Sequence, residues 1–267
     1  PAPAAAQKIN IPASQVFTTA NGITVILSEN HKIPKVSIEL SLGNTPRLEG
    51  SKAGLADFTG SLLMSGTTAR SKDQLDREID FIGANLSAGS SSMYLSCLTK
   101  HLSKGLDLMT DVLYNANFPE SEIERIRKQN LSGLQSTKAD AGQMARNATR
   151  AVNFPNHPLG EIMTEATLQT ISREDMLAYY KSTFTPQGSY LVVVGDITRA
   201  ETEALVQTYF ASWQGGPAYQ GELGKGQFDK GNRVIFVKKT GAVNQLSTLL
   251  FLLISALVTK TNLPSMY

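Results

Sequence analysis

The chain has 267 residues, a formal net charge of +2 and 41% hydrophobic residues. This length predicts one complete domain with part of a second, and the apolar content is sufficient for a packed core. The small net charge and the lack of Lys/Arg blocks argue against a nucleic-acid-binding protein. The single cysteine, Cys97, rules out a disulfide within this sequence and a cysteine-based zinc site, and its alternating apolar surroundings predict a buried thiol.

The first predicted elements are a linker, a hairpin and a strand. Residues 1–15 begin with an Ala/Pro-rich stretch that lacks the apolar core of a signal peptide, and we predict a linker there. A sequence that begins at Pro1 and not at Met fits either processing or a shortened sequence, and with the first interpretation we expect a periplasmic or secreted protein. Asn21-Gly22 between two β-rich runs predicts a hairpin, and the alternation of residues 35–42 predicts a half-buried strand.

A series of helices and strands is predicted after a polar loop. Leu55, Phe58 and Leu62 repeat on one helical face, and Gly66 occupies the position of a C-cap glycine. The apolar run at 190–196 is typical of a strand that is buried on both faces. Alternation also predicts strand structure within 85–98, and helical spacing or capping boxes predict helices at 71–82, 101–114, from 120 onward, at 141–153, 172–180 and 198–213.

The pattern changes near the C-terminal end of the sequence. We predict a first α+β domain at 16–214 and a Gly/Pro-rich linker at 215–232. Residues 233–267 are predicted to begin a second domain that is truncated or has diverged. Its apolar segment 249–258 is too short for a membrane-spanning helix, which needs about 20 residues.

The first predicted helix carries the most informative pattern. Residues 54–67 resemble the active-site helix of the pitrilysin/insulinase-type zinc metallopeptidases, which include the processing peptidases. In that family a Gly-Leu-Ala lead-in is followed by H-x-x-E-H, an apolar pair and a Gly-Thr exit. The lead-in, the apolar pair and the exit are present here. The five motif places hold Asp57, Phe58, Thr59, Gly60 and Ser61.

These replacements remove the chemistry of the motif. Two histidines at i and i+4 share a Zn²⁺, and the glutamate is the general base. Asp57 and Ser61 keep the spacing but supply at most one good zinc ligand, and Gly60 has no side chain that could accept a proton. The family's third ligand, a glutamate, falls on Gly133 or, with a register shift of two, on Gln135. We therefore predict no catalytic residue, no metal ligand and no cofactor in this chain.

The resemblance extends over residues 16–213 and includes a P-x-H-P-x-G link at 155–160. It implies an α+β fold with a mixed, mainly antiparallel sheet backed by helices, as in a metallopeptidase half-shell with a ferredoxin-like elaboration. It also implies a catalytically inactive homologue that pairs with a zinc-bearing subunit or half-chain. The two halves would form a chamber for the proteolysis of unfolded peptides, and zinc would be present only in the partner.

Two alternatives remain open on sequence alone. Asp57, Ser61 and His101 could form the site of an altered, zinc-independent hydrolase, although no G-x-S-x-G nucleophile signature is present. The chain could also be a scaffold or assembly protein without a role in peptide binding, because fold alone does not determine function. We expect His157, in a turn-like Asn-His-Pro context, to be a loop residue and not a ligand.

Overall fold

A computed structural model describes residues 13–221, which form a six-stranded sheet packed against helices. The strand order is β1-β2-β6-β3-β5-β4, and β2–β6 is the parallel pair whereas the other neighbours are antiparallel. This arrangement confirms the expected mixed, mainly antiparallel sheet. The strands are β1 (Gln15–Thr18), β2 (Thr24–Glu29), β3 (Lys35–Ser41), β4 (Asn85–Ala88), β5 (Ser92–Leu98) and β6 (Tyr190–Gly195).

The last strand completes the centre of the sheet. Strand β6 lies between β2 and β3, and Val193 is in register with Leu27 on one side and Ile38 on the other. These three side chains are fully buried. The expectation that β6 is buried on both faces is wrong, because Tyr190 and Val194 are 47% and 41% exposed. Helices of the described part cover one face of the sheet, so an apolar run here has one buried and one accessible side.

Eight α-helices lie within residues 13–221, and capping boxes begin four of them, at Ser71, Thr164, Ser172 and Thr198. The last helix ends at Tyr209, before the predicted end near Trp213. The helices are α1 (Leu55–Leu62), α2 (Lys72–Phe81), α3 (Leu102–Asn115), α4 (Glu120–Ala139), α5 (Ala141–Asn153), α6 (Glu165–Thr170), α7 (Arg173–Thr183) and α8 (Arg199–Tyr209).

The core lies between the inner face of the sheet and these helices. Aliphatic side chains of β2, β3, β5 and β6 meet large apolar side chains of α1, α3 and α7. Cys97 belongs to the buried set at 3% exposure, as predicted, and burial raises the pKa of its thiol. The largest fully buried side chains include Phe58, Phe118, Phe210, Leu62, Leu63 and Met93.

The exit from the first helix differs from the expected glycine C-cap. Helix α1 ends at Leu62, and a 3-10 turn (Leu63–Ser65) follows it. Gly66 has φ 124° and ψ 165°, outside the left-handed helical region of a C-cap glycine. This backbone conformation is accessible to glycine and costly for other residues, so Gly66 shapes the exit through its backbone freedom.

The first part of the predicted linker is fixed to the sheet end. Tyr219 accepts a hydrogen bond from the Thr45 backbone N–H at 2.9 Å and donates its own to the Asn44 side chain at 2.7 Å. Residues 1–12 and 222–267 lie outside the described part of the chain. The rest of the linker at 215–232, the second domain at 233–267 and the segment 249–258 therefore stay predictions. Across the described residues, no helix combines the length and apolarity needed to span a bilayer.

Candidate functional site

The two outer motif positions project from helix α1 toward solvent. Asp57 and Ser61 are both exposed and keep the i, i+4 relationship. The Ser61 hydroxyl donates to the Phe58 carbonyl oxygen at 2.8 Å, within the helix itself. Asp57 has no hydrogen-bond or ion-pair partner among the described residues and lines a cavity beside the helix. One free carboxylate and one internally bonded hydroxyl do not replace the two imidazole ligands of the motif.

The position of the general base is closed by backbone. Gly60 is buried, and the turn between β4 and β5 lies directly against it. A Cβ atom at residue 60 would come within 2.5 Å of the Ser90 backbone nitrogen and 3.1 Å of the Gly89 carbonyl carbon. Such a contact is too short for any side chain, and the atoms in the way belong to the main chain. A glutamate at this position would therefore require the turn to move.

The inner motif positions belong to the core. Phe58 and Thr59 are fully buried, and the Thr59 hydroxyl has no hydrogen-bond partner. The Arg127 guanidinium of α4 lies over the Phe58 ring at 5.2 Å and also donates to the carbonyl oxygens of Leu168 and Ile171. The helix expected to carry the third ligand therefore does pack against the motif helix.

Neither position predicted for the third ligand holds a carboxylate. Gly133 is exposed, and a Cβ atom built there would have no neighbour within 4 Å. Gln135 is also exposed. Two acidic residues near the start of α4 are engaged locally, because Glu122 pairs with Arg125 at 2.7 Å and Glu124 with Arg127 at 3.0 Å. The pairing with Arg125 lowers the pKa of Glu122 below its usual range.

The described residues 13–221 contain no cluster of three or more His, Cys, Asp or Glu side chains that could hold a metal ion. His157 lies in a loop, where its Nδ1 accepts the Leu159 backbone N–H at 3.0 Å. His31 bonds the Asp196 carboxylate through Nδ1 at 2.8 Å. Asp196 directly follows β6, at the end of the strand opposite to the one that residues 184–189 connect to α7. The donor set at α1 and α4 thus does not fit the zinc centre of the motif.

The alternative hydrolase site does not assemble. The turn at Ser90 contacts α1 and leads into β5, whereas His101 follows the far end of that strand. With a rise of roughly 3.3 Å per residue, strand β5 separates the two ends by about 20 Å. None of the hydrogen bonds among the described residues joins two of Asp57, Ser61 and His101. A Ser-His-Asp relay needs contact distances, so these three residues cannot form one.

A cavity of about 580 Å³ lies beside the motif helix. Its walls come from the loop after β3, the start of α1, the β4–β5 turn, helices α4, α5 and α7, and the loop before α6. Its polar lining includes Asn44, Thr45, Arg47, Glu49, Asp57, Ser90, Ser91, Gln143, Asn147, Arg150, Glu161 and Tyr179. The cavity is therefore bounded by the degenerate motif on one side and by charged loop residues on the other.

The Glu49 side chain caps the N-terminus of the motif helix, although Glu49 lies five residues before the N-cap residue Gly54. Its carboxylate accepts the backbone N–H groups of Gly54 at 2.6 Å, Leu55 at 2.9 Å and Ala56 at 2.8 Å. Burial raises the pKa of Glu49, while these backbone donors act in the opposite direction. Glu161 holds the same loop by accepting the N–H groups of Glu49 and Gly50. Both carboxylates are thus used to fix the start of α1.

Arg47, Glu49 and Tyr179 were not singled out by the sequence. Arg47 and Glu49 lie in a stretch that the sequence identifies only as a polar loop, and Tyr179 is one of several aromatic residues on a helix. The available signal for Glu49 is its place as an acidic residue shortly before a helix whose N-cap residue, Gly54, has no side chain to cap it. No local pattern indicates that Arg47 and Tyr179 meet.

A buried acid fixes the exit of the motif helix. Asp111 of α3, 8% exposed, accepts from the Thr67 hydroxyl at 2.8 Å, Arg70 at 2.6 Å and Asn115 at 2.9 Å. Burial acts to raise the pKa of Asp111, but these three hydrogen bonds and the Arg70 charge lower it overall. The motif segment is therefore anchored at both ends.

Comparison with known structures supports the fold. The described domain is similar to a peptidase M16 inactive domain from Pseudomonas fluorescens, with a TM-score of 0.74 at 20% identity, over 81% of this chain and 54% of that one. At this level of identity the similarity establishes the architecture alone.

Comparison with known sequences extends the similarity. The beta subunit of the mitochondrial-processing peptidase of Blastocladiella emersonii is 27% identical over 210 residues, which are 76% of this chain and 45% of the relative. Subunit 1 of the bovine cytochrome b-c1 complex is 26% identical over 213 residues, 77% of this chain and 44% of the relative. The chain thus spans less than half the length of these relatives.

Two family models match adjoining parts of the chain. Residues 170–262 match the model described as the peptidase M16 inactive domain. Residues 24–167 match the model described as insulinase, peptidase family M16. The sheet joins both parts, because β6 lies in the second matched segment and the other five strands begin within or just before the first. The chain belongs to the insulinase-like M16 peptidase family.

Proposed function

We propose that this chain is a catalytically inactive M16 subunit or half-chain that pairs with a zinc-bearing partner and helps to enclose unfolded peptides for proteolysis by that partner. The observation that carries the proposal is the closed position at Gly60. The β4–β5 turn occupies the space of the missing general base, so the active-site frame is retained while its centre is filled. The match of residues 170–262 to the inactive-domain model supports the same assignment.

Peptide binding is supported by the cavity and by the sheet edge. Strand β4 is the last strand of the sheet and pairs with β5 on one side. An extended peptide can add to such an edge through main-chain hydrogen bonds. The turn that follows β4 contributes Ser90 and Ser91 to the cavity wall. A peptide placed along this edge would therefore pass the cavity and the face of Asp57.

Pairing with another subunit is supported by the names of the relatives. The similar proteins are described as the beta subunit of a processing peptidase and as a subunit of the cytochrome b-c1 complex. Zinc would be held by the partner, because the residues of α1 and α4 in this chain do not provide the ligands of the motif. We also propose that the protein is periplasmic or secreted, as expected from the sequence.

The test is reconstitution. The purified chain is mixed with an M16 subunit that carries an intact H-x-x-E-H motif, and cleavage of a fluorogenic unfolded peptide is measured. We expect no cleavage by the chain alone and an increase in cleavage on mixing. That increase should disappear with a chelator or when the partner's motif glutamate is replaced by glutamine, and should persist in the control variant Ser61→Ala of this chain. Chelator-resistant cleavage by the chain alone would contradict the proposal.

A scaffold role is the second candidate, and the similarity to a cytochrome b-c1 subunit favours its consideration. The same experiment separates the two. If the complex forms but the partner cleaves and binds the peptide equally well with and without this chain, the scaffold role is supported and the chamber role is not.

A further inference from the structure

Arg47 is held in the wall of the cavity by aromatic rings and hydroxyl groups. Its guanidinium carbon lies 5.0 Å from the centre of the Tyr179 ring and 5.7 Å from that of the Tyr219 ring. Its Nη2 donates to the Ser182 hydroxyl at 3.0 Å and the Thr183 hydroxyl at 2.9 Å. Two rings and two hydroxyls together fix the orientation of a long side chain before any ligand arrives.

The partners of Arg47 differ from those of the other arginines in residues 13–221. Arg70, Arg125, Arg127 and Arg199 form ion pairs with carboxylates. The remaining four bond carbonyl or side-chain amide oxygens: Arg77, Arg146, Arg150 and Arg173. The polar partners of Arg47 within the described part are hydroxyls alone, and its Nε and Nη1 make no hydrogen bond there.

The acids of the cavity do not neutralise Arg47 by contact. The carboxylates of Glu49 and Glu161 are occupied by backbone N–H groups. Asp57 lines the same cavity but forms no ion pair with Arg47. The guanidinium therefore lies in the cavity wall without a carboxylate partner among the described residues and with unused donors. Such a group gains a charge-assisted hydrogen bond when a carboxylate enters, and a guanidinium suits a carboxylate better than an ammonium does.

We propose that Arg47 binds a carboxylate of the peptide held in the cavity, either an acidic side chain or the C-terminal carboxylate. This inference rests on the proposed peptide chamber and names the chemistry that the chamber selects. Asp57, the free acid of the same wall, acts against an acidic ligand. Its carboxylate thus limits how many negative charges the site accepts.

The experiment measures the affinity of the full chain for a matched set of labelled, unstructured peptides by fluorescence anisotropy. The set combines a central Glu or Gln with a free or amidated C-terminus. We expect the preferred carboxylate to tighten binding about tenfold relative to its neutral counterpart, as a hydrogen bond to a charged group does. A difference between the Glu and Gln peptides identifies an acidic side chain as the bound carboxylate, and a difference between the free and amidated peptides identifies the C-terminal carboxylate.

Variants of the chain locate the effect. Arg47→Gln should abolish the preference, so that the charged and neutral peptides bind equally well, whereas Arg47→Lys should retain part of it. The control Arg77→Gln removes the same charge from the exposed face of α2 and should preserve the preference. Asp57→Asn should strengthen binding of the acidic peptide. Thermal unfolding of each variant confirms that the fold is intact.

The outcomes distinguish the proposed peptide chamber from the proposed role of Arg47. If no peptide of the set binds to the chain or to its reconstituted complex, the chamber itself is contradicted. If peptides bind but charged and neutral forms bind equally, or if Arg47→Gln keeps the preference, the chamber stands and the role of Arg47 is overturned.

Discussion

Two glycines lie at positions where the sequence resemblance places the carboxylates of the active peptidases, with Gln135 as the alternative for the second, and their surroundings are opposite. Gly60 of α1 is buried, and a Cβ atom there would meet the Ser90 backbone at 2.5 Å. Gly133 of α4 is exposed, and a Cβ atom there would have no neighbour within 4 Å. The space beside Gly60 is filled by the backbone of the β4–β5 turn, whereas the space beside Gly133 is open.

This difference indicates that a side chain at residue 60 is excluded by the backbone arrangement, whereas a side chain at residue 133 is not. Restoring a glutamate at Gly60 would displace the β4–β5 turn, which also ends the edge strand β4 and contributes Ser90 to the cavity. Restoring a carboxylate at Gly133 would change only the surface of a helix. An H-x-x-E-H motif on this helix would therefore require rebuilding of the β4–β5 turn in addition to replacement of the motif residues.

The largest effect is expected at the closed position. Gly60→Ala adds one methyl group against main-chain atoms, and overpacking of this kind costs roughly 1–3 kcal/mol, more than the helix propensity that alanine gains. Gly60→Glu should be more damaging still. Urea unfolding should show a lower midpoint for both variants. Unchanged stability of Gly60→Ala would mean that the turn moves freely and that the position is open.

A second effect is expected at the anchored exit of the motif helix. Asp111→Asn should cost roughly 1–3 kcal/mol at pH 7, because it removes a carboxylate that accepts three hydrogen bonds. The pKa of Asp111 is lowered in the folded state, so its contribution is present above the unfolded value of about 3.9 and is lost as the pH falls through the folded pKa.

The pH series provides the check on Asp111. The stability difference between wild type and Asp111→Asn should narrow as the pH is lowered from 7 to below the unfolded pKa of about 3.9, because the unfolded wild-type chain then binds a proton that the folded side chain still excludes. The control Asp57→Asn changes an exposed acid without a partner and should shift the stability little at either pH. A difference for Asp111→Asn that stays constant with pH would contradict the assigned role of the charge.

The smallest effect, and of opposite sign, is expected at the open position. Gly133→Ala should stabilise the chain by about 0.5–1 kcal/mol, because glycine in an exposed helix interior is less favourable than alanine. Gly133→Glu should also fold. Destabilisation by either change would indicate that this surface of α4 is covered in the intact protein, and the contrast between the two glycines would then fail.

The sequence predicts the local elements of this domain well, because their causes are local. Alternation along β3 and the capping boxes at Ser71 and Ser172 indicate elements that the structure contains. The insertion of β6 between β2 and β3 could not be obtained in this way, since a pairing between distant segments leaves no periodic signal. The apolar run of β6 instead led to the wrong expectation of burial on both faces.

The candidate site was predictable only in part. The absence of the two histidines and the glutamate of H-x-x-E-H is evident from the sequence of residues 57–61. The contact of Gly60 with Ser90 depends on the path of a separate turn, and the contacts of Arg47 with the rings of Tyr179 and Tyr219 join three separate segments. Such contacts are set by tertiary packing, so composition and spacing contain no record of them.

The central claim is that the motif helix of this chain does not bind the catalytic zinc. The most direct measurement equilibrates the full chain with zinc, dialyses it against metal-free buffer and determines the zinc retained by elemental analysis, alongside an M16 subunit with an intact motif. The account predicts retention far below one zinc per chain, while the intact subunit keeps its zinc. Stoichiometric zinc that is lost in the variants Asp57→Asn and Ser61→Ala would contradict it.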